Sequence, residues 1–256
     1  RHAGPVYLGD VGSGGVLALS LAYFLPQTED PNGDPMSISI GPGTSGVIEA
    51  RGDGLRYLAD TDFLGEVRIA YTISDGDVEL PQSAFLNVVE NVFDGTQADD
   101  LIVGTHGRDA IHGLEGNDNL AGLGGRDRIF GGDGDDIMMG GSGNDRLYGQ
   151  GGNDNMTGGA GNDRFFFDTG WGQDIISDFG IDKDRIDLKA AGITSINALT
   201  ITQDDLDTLV ASGADTIRLS NTDIATITSS DFIFAKPETD ITSVSSELQA
   251  IDQWLV

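Results

Sequence analysis

The chain has 256 residues, room for roughly two domains of about 100–150 residues each, and carries 42 acidic residues against 14 basic ones, a formal charge of −28. Such a field opposes non-specific binding to nucleic acid or to anionic membranes, and leaves either a disordered acidic chain or one that folds around cations. The absence of cysteine excludes disulfide staples and thiolate zinc sites, while 38% hydrophobic residues suffice for packed cores and 38 glycines imply repeated tight turns.

Opening at Arg1 without a Met, the chain is expected to be a fragment or a processed piece. Its longest apolar stretch, residues 16–25, is too short to span a bilayer, and no basic-then-apolar leader precedes it. Short apolar runs at residues 16–21, 36–40, 46–50, 67–73 and 84–89 alternate with turn signals. Arg51-Gly-Asp-Gly54 reads as a tight hairpin turn between two runs. Strands at this spacing predict an antiparallel β-sandwich over residues 1–92. The stretches Glu29-Asp-Pro-Asn-Gly-Asp-Pro35, Phe63-Leu-Gly65 and Tyr71-Thr-Ile-Ser-Asp-Gly76 resemble signatures of bacterial cadherin-like domains, which occur in tandem in large surface proteins. Glu29, Asp30, Asp34, Asp75 and Asp77 are candidate calcium ligands at one end of that sandwich, though acidic residues also serve as ordinary turn formers.

From residue 93 to 166 the sequence becomes periodic. Asp109, Asp118, Asp127, Asp136, Asp145, Asp154 and Asp163 lie nine residues apart, and Asp99, ten before the first, marks an irregular opening unit. Two residues after each Asp comes an apolar one: Leu101, Ile111, Leu120, Ile129, Met138, Leu147, Met156 and Phe165. Two residues before seven of them stands a glycine: Gly107, Gly116, Gly125, Gly134, Gly143, Gly152 and Gly161. The pattern resembles the G-G-x-G-x-D-x-U-x repeat of RTX proteins, with residues 140–148 and 158–166 as full matches.

Residues 167–256 leave the repeat. Residues 171–179 and 182–188 resemble the segments that close RTX rolls in serralysin-type proteases and mannuronan epimerases, and residues 245–256 read as a short amphipathic helix. The predicted architecture is therefore all-β: a cadherin-like sandwich, a right-handed parallel β-roll, and a capping segment with a C-terminal helix.

The resemblance implies a coil of two nonapeptides, each a six-residue turn and a three-residue strand, so that Asp109 lies over Asp127 and Asp118 over Asp136. Strands one coil apart sit about 4.8 Å from each other. At about 5 Å and an effective dielectric near 20, each stacked carboxylate pair opposes folding by roughly 3 kcal/mol. A hard divalent cation between turns reverses that effect, and an all-oxygen site suits calcium better than magnesium. The seven repeat aspartates and seven glycines are thus the candidate ligands, for roughly five to eight calcium ions. The resemblance further implies export by type I secretion machinery, folding outside the cell, and a secreted or cell-surface location.

Some positions depart from the pattern. Gln97 and Ala98 weaken the first turn, and Thr105, Leu114, Leu123 and Gln150 replace the second glycine, which is expected to alter those turns. Ile137 is apolar where an outward polar residue is usual. Gly41-Pro-Gly-Thr-Ser-Gly46 spells a dinucleotide fingerprint, but Pro42 lacks an N–H and no helix follows. His106 and His112 have no metal-ligand spacing. No catalytic constellation is visible. The expected role is a non-enzymatic binding or adhesion module, against two alternatives: the export tail of a secreted enzyme, or a calcium-dependent binder of extracellular polysaccharide.

Overall fold

The structure is a computed structural model that describes residues 6–20, 37–40, 45–51, 54–74 and 79–236. Among the described residues seven strands make the N-terminal unit: β1 (Val6–Gly12), β2 (Val16–Ser20), β3 (Ser37–Ile40), β4 (Val47–Arg51), β5 (Gly54–Leu58), β6 (Gly65–Ser74) and β7 (Glu79–Val89). They form a four-stranded sheet ordered β1-β7-β6-β3 and a three-stranded sheet ordered β2-β5-β4. Val67, Ile69 and Tyr71 on β6 and Ala84, Leu86 and Val88 on β7 alternate inward and share a core with Tyr57. The hairpin read at residues 51–54 is present, with Arg51 paired to Gly54. The sheet is not wholly antiparallel, because β1 runs parallel to β7 with a register shift between Tyr7 and Asp10. Glu29, Asp30, Asp34, Asp75 and Asp77 lie outside the described residues, as does the segment read as a C-terminal helix.

Only Glu90 separates β7 from the first strand of the second unit. That unit winds through β8 (Asn91–Asp94), β9 (Leu101–Val103), β10 (Asp109–Glu115), β11 (Asn119–Gly124), β12 (Arg128–Asp133), β13 (Ile137–Ser142), β14 (Arg146–Gly151), β15 (Asn155–Ala160), β16 (Arg164–Phe166), β17 (Gln173–Ile176) and β18 (Arg185–Asp187). Every second strand pairs in parallel: β8, β10, β12, β14, β16 and β18 on one side, β9, β11, β13, β15 and β17 on the other. The register repeats every two nonapeptides, as in Ile111↔Ile129↔Leu147↔Phe165 and Leu120↔Met138↔Met156. These two columns of side chains face each other at 0% exposure and fill the interior. The strands β11 to β15 run six residues, longer than the three expected, since the parallel ladder continues into the next repeat through pairs such as Leu123↔Gly141 and Gly132↔Gln150.

The opening unit is regular after all. Asn119 pairs with Leu101 and Leu120 with Ile102, so Ile102 is the inward residue, whereas Leu101 is 75% exposed. The aspartate that belongs to the row is accordingly Asp100, nine before Asp109, and not Asp99. One coil earlier still, Asn91 and Phe93 occupy the Asp and apolar positions.

The C-terminal segment closes the far end. Strands β19 (Thr200–Asp204), β20 (Asp207–Ser212) and β21 (Asp215–Leu219) form a meander whose last strand pairs in parallel with β17, and β22 (Phe232–Ile233) pairs with β18. Phe167, Trp171, Phe179, Leu188, Val210, Ile217 and Leu219 extend the roll's core without a break. Among the described residues no helix is long and apolar enough to cross a membrane.

Candidate metal centre

Each nonapeptide turn delivers its aspartate to the rim between two coils. The backbone N–H of Asp109 donates to Asp127 Oδ1 at 2.9 Å, Asp127 to Asp145 at 2.8 Å and Asp145 to Asp163 at 2.8 Å. On the opposite rim Asp100 donates to Asp118, Asp118 to Asp136 and Asp136 to Asp154, at 2.8, 2.8 and 3.0 Å. Both rows continue beyond the repeat, Asp154 to Asp174 at 2.8 Å and Asp163 to Asp184 at 3.0 Å. One oxygen of each carboxylate thus completes the coil-to-coil ladder.

The other oxygen is the informative one. Oδ2 of Asp118, Asp127, Asp136, Asp145, Asp154, Asp163 and Asp174 is buried with no hydrogen-bond partner among the described residues. Leaving one such group unpaired costs about 1–3 kcal/mol, more when it is charged. In Asp127, Asp136, Asp145, Asp154, Asp163 and Asp174 burial is the largest cause that drives the carboxyl up, opposed by the backbone N–H each accepts and reinforced by neighbouring carboxylates. Asp127 and Asp174 are pushed to about 8, Asp154 and Asp163 to about 7, and Asp136 and Asp145 to about 6. The strain expected from stacked charges is real, but loss of hydration outweighs it.

Glycine at the first repeat position leaves room for this arrangement. A Cβ on Gly113, Gly122, Gly131 or Gly140 would collide with Oδ2 of its own turn's aspartate and crowd the carbonyl oxygen of the equivalent glycine one coil on. Carboxylate and carbonyl oxygens therefore converge on each turn, a hard, all-oxygen donor set of the kind calcium takes. No group of three His, Cys, Asp or Glu side chains converges among the described residues, so backbone carbonyls would have to complete any site. The glycines two before each Asp stack likewise: Gly134 lies against the carbonyl of Gly116, Gly143 against Gly125, Gly152 against Gly134 and Gly161 against Gly143. Gly107 lies instead against the carbonyl of Ser13 in the N-terminal unit.

Residues 94–129, 113–147, 130–165 and 139–176 match the model of the RTX calcium-binding nonapeptide repeat in four copies. The central segment is an RTX calcium-binding β-roll. No curated protein matches the chain. Among solved structures, two subunits of the Azotobacter vinelandii mannuronan C5-epimerase are each 26% identical, with TM-scores of 0.39 and 0.35. They cover 57% and 58% of this chain, and 83% and 94% of their own. The extracellular lipase of Serratia marcescens is 16% identical with a TM-score of 0.29 over 58% of this chain, which spans 40% of the lipase.

The RTX turns at Leu114, Leu123 and Gln150 keep the left-handed backbone of the glycine turns, whereas Thr105 does not. Leu114, Leu123 and Gln150 keep positive φ, at 88°, 75° and 73°, where Gly132, Gly141 and Gly159 have 118°, 107° and 97°. The altered turns expected at these positions are not seen. The parallel ladder fixes the backbone, and the side chain bears a left-handed conformation that costs about 1–2 kcal/mol. Sequence alone reads three further acids, Asp174, Asp178 and Asp184, equally as a terminal metal site or as solvated loop residues. Asp174 joins the row of unpartnered oxygens, while Asp184 Oδ2 accepts the N–H of Gly180 at 3.1 Å. Asp178 caps the N–H groups of Gly158 and Gly159 at 3.0 and 2.7 Å. His112 contacts Asp94 at 2.7 Å on the outer face.

Proposed function

We propose that this chain is a calcium-binding module of a secreted bacterial RTX protein, in which calcium binding and folding of the roll are one event. The observation that supports the reading is the double row of buried carboxylate oxygens with no protein partner. Asp118, Asp127, Asp136, Asp145, Asp154 and Asp163, joined by Asp174, would hold the ions, with carbonyls of the turn glycines, Gly116, Gly125, Gly134, Gly143, Gly152 and Gly161 included, as further oxygen donors. The metal supplies positive charge that offsets carboxylates which burial otherwise drives towards protonation. Millimolar external calcium suits weak extracellular sites of this kind, and calcium-poor cytosol would leave the roll unfolded for type I export.

The N-terminal unit, read as cadherin-like from its sequence signatures, would act as a non-enzymatic spacer or adhesion element, with extracellular polysaccharide or another surface ligand as its partner. A second reading makes the chain the export and folding tail of a secreted enzyme. The sequence of its cap favours this, because residues 171–179 and 182–188 are similar to the closing segments of such tails and provide the buried Trp171, Phe179 and Ile186.

The test is a calcium titration after chelation, followed by far-ultraviolet circular dichroism with magnesium as control. A cooperative gain of β signal in calcium but not in magnesium is the expected result. Unchanged signal with calcium would overturn the reading. A catalytic domain encoded upstream would move the assignment from adhesion module to enzyme tail.

A further inference from the structure

The first turns of the roll occupy their aspartates with protein donors that later turns lack. In every turn from Asp118 to Asp163 the carboxylate keeps one unpartnered oxygen, but Asp109 keeps none. The backbone N–H of Thr105 donates to its Oδ2 at 2.6 Å, and Thr105 Oγ1 donates to Oδ1 at 2.9 Å. Asn91, which stands where the previous coil would carry an aspartate, donates Nδ2–H to the same Oδ1 at 2.7 Å. On the other rim the threonine contact recurs without a counterpart of Asn91: Thr96 donates both its N–H, at 2.6 Å, and its hydroxyl, at 2.9 Å, to Asp100 Oδ2. Both threonines sit at the second repeat position, where later turns carry a residue of positive φ.

The N-terminal unit supplies the rest of the missing coil. Deeper in the roll each fourth-position glycine packs on the carbonyl of its counterpart one coil earlier, and Gly107 packs on the carbonyl of Ser13. The fifth-position N–H of Asn117 donates to a side chain one coil earlier, Asp99 Oδ1 at 2.9 Å, whereas that of Arg108 donates to the carbonyl of Thr61 at 3.1 Å. Ser13 Oγ in turn donates to the carbonyl of Thr61, and the N–H of Gly14 to that of Asp60 at 3.2 Å, which ties the two loops together. Glu90 then pairs with both Arg108 and Arg128, spanning the first two coils of that face.

We propose that the N-terminal unit is a surrogate coil: it mimics the preceding turn of the roll, so that the first turn on each rim is metal-independent and gives calcium-driven folding a fixed starting edge. This removes Asp109 from the set of metal ligands and gives Asn91, Thr96 and Thr105 the place that ions take elsewhere. The inference rests on the calcium reading above but fails separately from it. A device of this kind converts coil formation from nucleation in free chain to addition on an existing edge, and nucleation is the costly step when strand partners are far apart in sequence.

The experiment is hydrogen exchange on the full chain in chelator and in calcium, for the wild type and for Thr105→Gly. In chelator, the wild-type amides of residues 108–112 are expected to stay protected while those of residues 145–166 exchange freely; calcium should then protect both. Thr105→Gly restores the double glycine at 104–105, removes the hydroxyl donor and lets residue 105 take the positive φ of the later turns, in which the aspartate Oδ2 has no backbone donor; it should therefore bind one more calcium ion and lose the chelator-resistant protection at 108–112. Thr105→Val, whose β-branched side chain resists positive φ and so holds the N–H on Asp109 Oδ2 while removing only the hydroxyl, should retain part of that protection and the wild-type ion count. If residues 108–112 exchange in chelator as fast as residues 145–166, the surrogate coil is wrong even though the calcium reading stands. The same holds if Thr105→Gly changes neither protection nor ion count. If residues 145–166 are protected without calcium and calcium adds nothing, the calcium reading itself falls.

Discussion

At the scale of single residues, the roll from Asp118 to Asp174 is a stack of carboxylates that each satisfy one oxygen and withhold the other. Asp127, Asp136, Asp145, Asp154, Asp163 and Asp174 are pushed from a usual value of 3.8 up to between about 6 and about 8, so without metal the folded state favours their protonated form more than the unfolded chain does. A folded-state pKa above the unfolded one means stability that is fully present below about pH 4 and lost as pH rises towards about 8. Metal-free chain should therefore show more β signal at pH 5 than at pH 8, while the calcium concentration needed for half-folding should rise as pH falls, because protons and calcium compete for the same oxygens. Circular dichroism at the two pH values checks both trends, and a metal-free signal that grows with pH would contradict them. The left-handed Gln150 offers a second test. Gln150→Gly removes its strain and should stabilise the calcium-loaded chain by about 1 kcal/mol in urea unfolding. A loss of stability would mean that the side chain earns more through contacts than its backbone costs.

At the scale of elements, the outer face of the sheet through β10, β12, β14 and β16 carries a continuous ladder of rings. His112, Phe130, Tyr148 and Phe166 stack at centroid distances of 5.0, 4.5 and 4.2 Å, with the Arg164 guanidinium 4.7 Å from the centre of the Phe166 ring. The ladder is what an exact repeat of two nonapeptides produces when one outward position is aromatic in successive coils. Tyr148→Ala interrupts it in the middle and should cost about 2 kcal/mol in calcium, from two stacking contacts and part of a ring's burial. A change under about 0.5 kcal/mol would show that the rings are merely aligned. The repeat itself was legible because its period is stricter than any local propensity. Its two ends were not. Asp100 and Ile102 hide behind Asp99 and Leu101, which offer the same residue types one position off, and only the strand register separates them. Asp174 and Asp184 follow spacings of 20 and 21 residues from their partners, so counting by nine passes over them. In the N-terminal unit β1 escaped notice because Gly9 and Asp10 interrupt its alternation where the register shifts. Thr105 reads as a defect in a glycine pattern and Thr96 draws no notice, although each is a donor placed where it can reach its own turn's aspartate. Exposed Ile137 lies on the outer face beside Met139, and nothing in the structure explains it.

At the scale of the molecule, two dissimilar units close a one-dimensional stack. The N-terminal sheets meet the first coil through Glu90 and Asn91, and the β19–β21 meander and β22 cover the last. Between them each coil touches its neighbours through parallel backbone ladders, the interior columns and the carboxylate rows, so stability should divide into nearly equal nearest-neighbour steps. The net charge of −28 works against every one of those steps until cations arrive.

Such a stack is also a spring with a dial. Tension entering at one closing unit and leaving at the other runs along the axis, across the ladders, and can strip a single winding at a time. Each winding holds 18 residues and would release about 60 Å of chain when pulled straight. Single-molecule stretching in calcium should give a sawtooth of roughly that spacing over the middle of the roll, with rupture forces that climb with calcium concentration and vanish in chelator. One large rupture independent of calcium would instead mark a rigid rod. If the sawtooth is found, the ion supply outside the cell sets how much length the module yields under load.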